Sequence, residues 1–189
     1  MFAPENLFVS PNARVLVHIG NIAAQWSHLE YMLAQTIWIL LGHDAETGKI
    51  VTGGLDMLPR INMAINLARH LNAPKPLTEC LEKIRKELQA NLIETRNSAI
   101  HGVQFNGPNG ELEVEMHRGK GNRKRNPLPE KTLNQTGKRL YELTNELRSV
   151  FIAHANELRL ALLNMAKNIE LTVSSELGPP PSGSNSQKA

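Results

Sequence analysis

Apolar residues recur at steps of three and four through most of the chain. Val15, Ile19, Ile22, Trp26, Leu29, Leu33, Ile37 and Leu40 form one continuous stripe, the pattern of a long amphipathic helix. Ser10 and Pro11 stand where an N-cap and a first helical residue are expected, and Gly42 stands where the helix should stop. "DAETGKIVTGGLD" predicts a short helix capped by Asp44 and broken at Gly53–Gly54. From Asp56 another helix runs through "MLPRINMAINLARHL", with Pro59 tolerated in its first turn.

After the breaker "NAPKP", Thr78 is expected to cap a helix with Leu81, Ile84, Leu88, Leu92 and Ala99 or Ile100 facing inward. Gly102 is its expected left-handed stop. The period then changes to two. "VQFNGPNGELEVEMHR" alternates on both sides of "GPNG", which predicts a small β-hairpin, and such a hairpin needs helices to lie against. A last long helix begins near Pro129–Thr132, with Leu140, Leu143, Leu147, Leu158 and Leu162 inward. Its spacing suits antiparallel packing along the first helix. The expected fold class is all-α: a bundle of four to five helices with a small β-hairpin insertion near 103–118. Residues 1–9 read as an N-terminal arm, 10–170 as one helical domain and 171–189 as a Pro/Ser-rich tail too polar to order itself.

Composition narrows the class. A lone cysteine, Cys80, excludes an internal disulfide and a thiolate zinc site, and it suits a reducing setting. The opening "MFAPENLFVSPNAR" lacks the basic start and apolar run of a signal peptide. The most apolar run, "YMLAQTIWILLG", is shorter than the roughly 20 residues that span a bilayer. The expectation is therefore a cytoplasmic protein with no membrane partner. The net charge of +3 is unevenly spread. Residues 117–131 hold six Lys or Arg against one Glu. Within them Arg118, Lys120, Arg123, Lys124 and Arg125 are candidates to touch an RNA backbone. A solvated loop is the other reading of the same residues.

Seven histidines are scattered, with no i, i+4 pair and no metal-ligand spacing, so no metal and no cofactor is expected. His154 lies on an apolar stripe and reads as a hydrogen-bonded core residue. The segment that stands out is "LIETRNSAIHGV", where Arg96, Asn97 and His101 crowd the end of a helix just before Gly102. Asn97 and His101 are one turn apart and share a face, with Glu94 further back, while the long stem of Arg96 can swing its guanidinium to the same cleft. Glu30, beside the first stripe, is a supporting acid that could pair with Arg60 or Arg96. A structural account also exists: a histidine suits the helix dipole and a glycine suits the cap.

"RNSAIHG" resembles the signature of the HEPN superfamily, an arginine followed by a polar residue and, a few positions on, a histidine at a helix end. The flanks "QWSHLEYMLAQTIWILLGHD" and "VTGGLDMLPRINMAINLARHL" resemble uncharacterised bacterial HEPN-like proteins, and the likeness covers roughly residues 10–170. The resemblance implies a helical bundle acting as a homodimer. It also implies a metal-independent endoribonuclease that leaves 2′,3′-cyclic phosphate ends, with a toxin or defence role and an antitoxin or other protein partner. His101 would be general base or acid, Arg96 the phosphate clamp and Asn97 an assistant. The alternative is a non-catalytic HEPN-like dimeric scaffold that binds a nucleotide, an RNA or a protein. The scarcity of aromatics, 4% of the chain, argues against a platform that holds single-stranded RNA by stacking.

Overall fold

The first apolar stripe becomes α1 (Ala13–Leu41) in the computed structural model, which describes residues 12–106, 112–115 and 125–177. Asn12 is its N-cap, and its side chain accepts the Arg14 N–H. Ser10, Pro11, the arm 1–9 and the tail beyond 177 lie outside the described residues. Ile22, Leu29, Leu33 and Ile37 have no solvent exposure. Gly42 ends the helix at φ 66°, a conformation open to a residue without Cβ.

Asp44 caps α2 (Ala45–Thr52) by accepting the Thr47 N–H at 2.8 Å. The short helix folds back on the end of α1, where Trp38 Nε1 donates to Thr52 Oγ1 at 2.9 Å in a buried bond. Gly48 lies directly under the Trp38 ring, where an added Cβ would overlap the indole. Asp56 precedes α3 (Met57–His70) as expected, and Arg69 ties α3 to the next helix through Glu82 at 2.6 Å.

That next helix, α4 (Lys75–Glu87), starts before Thr78, which is therefore not its cap. Pro74 is the N-cap and Pro76 sits in the first turn, where its missing N–H costs nothing. The rod continues through a π-turn at Leu88–Leu92 into α5 (Ile93–His101). At the junction the Ile93 N–H donates to the Leu88 carbonyl. Gly102 is a second correction: its φ of −77° and ψ of 146° are extended, because the chain passes straight into a strand.

The hairpin expected near 103–118 is part of a three-stranded antiparallel sheet, ordered β1 (Val103–Asn106), β2 (Leu112–Glu115) and β3 (Arg125–Pro127). Val103 pairs with Glu115 and Asn106 with Leu112, while Val114 also faces Asn126. Leu112, Val114 and Leu128 are buried and carry the sheet against the helices.

The chain then enters α6 (Glu130–Ala153), whose Leu133, Leu140, Leu143 and Leu147 are buried. It runs parallel to α1, not antiparallel. His18 meets Glu130 near both starts, Gly137 abuts Asn21 and Ile22, and Ile39 shares a groove with Phe151. The physical reason is that the α4–α5 rod runs antiparallel to α6, with Lys83 on Glu146 and Glu87 on Arg139, and so returns the chain to the start of α1. The expected single last helix breaks at His154 (φ −111°), and α7 (Ala155–Leu177) follows, running past the boundary expected at 170. With α4 and α5 joined as one rod, the described residues hold six helices rather than four to five.

Two stability tests follow from these contacts. Gly48→Ala is expected to lower unfolding free energy by about 1–3 kcal/mol through overpacking against Trp38. Gly137→Ala should cost far less, because its neighbour is the amide of the exposed Asn21. Denaturant melts of both variants measure the difference. Separately, Arg139 bonds both oxygens of Glu87 and holds that carboxyl below the usual glutamate range. The stabilisation is complete above the unfolded-state pKa of Glu87 and is lost as pH falls through the depressed folded value. Melts of Glu87→Gln across acidic pH are expected to show a shallower loss than the parent.

Candidate functional site

The end of α5 gathers the residues singled out in "RNSAIHG". Arg96 lies against α1, with its Cζ 5.1 Å from the centroid of the Trp26 ring, a geometry that favours a cation over the indole face. From there its Nη1 donates to Asn97 Oδ1 at 3.0 Å and contacts His101 Nε2 at 2.9 Å. A guanidinium has no lone pair to offer, so the imidazole accepts through Nε2 and carries its proton on Nδ1. His101 and Glu94 are exposed, and Asn97 and Arg96 are half-buried.

Arg96 is held at a cost. Its Nε is buried with no partner, and an unsatisfied buried donor costs about 1–3 kcal/mol. Arg60 Nε is in the same position. Glu30 pairs with Arg60, Oε1 to Nη1 at 3.7 Å, while Arg60 Nη2 donates to the Thr52 carbonyl at 3.1 Å. Of the two partners open to Glu30, Arg60 is the one it meets.

Between α1, α3 and α5 lies a pocket of about 450 Å³. Trp26, Met57 and Ile93 form apolar wall, and Glu30, Asp56, Arg96 and Asn97 bring polar groups to it. Sequence reasoning placed Trp26 only in the core stripe and Asp56 only at a helix start, so neither was a site candidate. The signal that could have found them is the Gly53–Gly54 break, which turns the start of α3 back against α1.

The basic candidates are not gathered here. Arg125 lies on β3, half-exposed, with its Cζ 3.8 Å from the Phe105 centroid and its Nε 3.6 Å from Glu115 Oε2. Arg118, Lys120, Arg123 and Lys124 lie outside the described residues. His154 is not a fully buried core residue: it sits at the α6–α7 break with Nδ1 3.2 Å from Glu157. Leu158 N–H bonds to its carbonyl, which carries the hydrogen-bond ladder across the break.

Among the described residues no group of three or more His, Cys, Asp or Glu is arranged to hold a metal ion. Burial pushes the Cys80 thiol up to about 11, away from thiolate chemistry. No described helix is long and apolar enough to cross a membrane. No protein-family model, curated protein or solved structure matches the chain.

The unsatisfied Arg96 Nε separates a structural from a functional role. Arg96→Met retains a long side chain over Trp26 and removes the orphaned donor. It is expected to change unfolding free energy by less than about 1 kcal/mol, or to raise it. A loss of several kcal/mol in a denaturant melt would make Arg96 a structural residue.

Proposed function

We propose that the chain is a metal-independent, HEPN-like endoribonuclease that works as a homodimer. The observation that carries this reading is the convergence of an exposed imidazole, a guanidinium and an amide at one helix end, with Arg96 Nη1 2.9 Å from His101 Nε2. RNA supplies its own nucleophile, the 2′-OH beside each phosphodiester. An imidazole is suited to take that proton near neutral pH. The 2′-oxygen then bonds to phosphorus as the bond to the 5′-oxygen breaks, giving a 2′,3′-cyclic phosphate and a free 5′-OH. Charge accumulates on the phosphoryl oxygens, and the fork of Arg96 matches it.

The contact between Arg96 and His101 supports the following order of events in this reading. With no substrate bound, the guanidinium occupies the Nε2 lone pair. An incoming phosphate draws the guanidinium to itself and frees Nε2 to accept the 2′-OH proton. Asn97, already bonded to Arg96, steers that movement. A single imidazole is poorly placed to serve both the entering and the leaving oxygen, which lie on opposite sides of phosphorus. A second copy of His101 across a two-fold axis supplies the other proton transfer, so the homodimer is part of the chemistry. The toxin or defence setting and its protein partner belong to this reading as the resemblance implies them.

The test is cleavage of a mixed RNA by the full chain in excess chelator. Cutting that leaves cyclic-phosphate ends is expected, with His101→Ala abolishing it and Arg96→Lys lowering it by roughly 10²–10³, while both variants keep the parent's helical signal and dimeric mass. Equal cutting by His101→Ala removes this site from consideration. Salt-dependent RNA binding without cutting points instead to the non-catalytic scaffold.

A further inference from the structure

We infer that the pocket beside Arg96 is a base-reading subsite that selects guanine on the 5′ side of the scissile phosphate, an inference that rests on the ribonuclease reading. The pocket and the proposed cleavage centre share Arg96 and Asn97, while His101 stands outside at the mouth. A nucleotide whose phosphate is held by Arg96 therefore has its base directed toward Trp26, Met57 and Ile93. The volume of about 450 Å³ lies within the range of small-ligand sites.

The polar lining decides which end of the nucleotide enters. Glu30 and Asp56 both face the pocket, and two carboxylates repel a phosphate. They accept hydrogen bonds and donate none, so the edge that meets them must carry N–H groups. Neither is fully engaged. Glu30 meets Arg60 at a loose 3.7 Å, and Asp56 makes no capping bond to its own helix.

Among the RNA bases, guanine alone presents two adjacent N–H donors, N1–H and the N2 amine, in the spacing of a carboxylate. Adenine and cytosine place a ring acceptor beside their amine, which would meet the carboxylate as lone pair against lone pair. Uracil sets its single N–H between two carbonyls. Asn97 completes the match: its Oδ1 is taken by Arg96, which leaves its amide N–H groups for guanine O6. A site that hydrogen-bonds one edge favours the ligand that carries it, because the half-buried Glu30 and Asn97 would lose partners to any other edge.

Calorimetric titration of the full chain with 3′-GMP, 3′-AMP, 3′-CMP and 3′-UMP tests this without relying on cleavage. 3′-GMP is expected to bind at least about tenfold tighter than the other three, the discrimination of one good bidentate contact. Glu30→Gln and Asp56→Asn, whose helical signal and melting should match the parent, are expected to reduce that preference, whereas His101→Ala should retain it. Equal affinity for all four nucleotides, or no binding at all, overturns the inference, as does a preference untouched by both carboxamide variants. A guanine preference in a protein that cuts no RNA leaves the subsite standing and removes the nuclease reading. RNA cut without regard to the base, with no nucleotide preference, does the reverse.

Discussion

The buried stripe of α1 is the constraint on which the rest of the molecule depends. Ile22, Leu29, Leu33 and Ile37 are wholly withdrawn from solvent, and each such side chain contributes about 1.5–3 kcal/mol relative to exposure. Because the stripe runs nearly the full length of a 29-residue helix, α2, α3, α5 and α6 all pack on one rod. That sharing places Trp26, Glu30 and Trp38 on the same scaffold. The guanidinium over Trp26 and the turn pinned by Trp38 are thus held at fixed separation by an element that is stiff because it is buried on several sides.

The site itself shows a division of charge along a short path. The acids Glu30 and Asp56 stand in the pocket, while Arg96 bridges from the pocket to His101 outside. A half-buried arginine whose Nε–H is buried without a partner is destabilising on its own. Under the proposed function, a ligand takes over the guanidinium's remaining capacity. The same reasoning applies less strongly to Arg60, which is occupied by Glu30 and the Thr52 carbonyl.

Much of the fold was legible because its signals are local. Gly42 through its left-handed backbone and Asp44 through its side-chain cap punctuate the chain, and Gly53–Gly54 and Asp56 also fall at real boundaries. Thr78 misled because a threonine can cap, but two prolines upstream had already started the helix. The direction of α6 was illegible: an amphipathic stripe tells which face is buried and says nothing of polarity along the axis. The strand Arg125–Pro127 was missed since all three residues are exposed and show no alternation. For the site, helical spacing placed Asn97 and His101 on one face, and the reach of Arg96 followed from its length. The pocket was not legible, since it depends on how α3 docks against α1 and α5.

The π-turn at Leu88–Leu92 has a mechanical meaning. Such a turn is one residue more than an α-helix would use, so it acts as an angular offset between the two halves of the rod. Dropping one residue there, at the exposed Gln89 or Ala90, would restore an ordinary ladder with both halves on their present faces, whereas closing the turn with every residue kept would swing everything beyond it by about 100°. In that second case Leu81, Ile84 and Leu88 would stay seated, but Ala99 would leave the interior and the arginine would come off its indole. The segment thus works as a phase-setter: it lets one continuous helix present one packing face at its start and a differently oriented face, the one that bears Arg96 and His101, at its end.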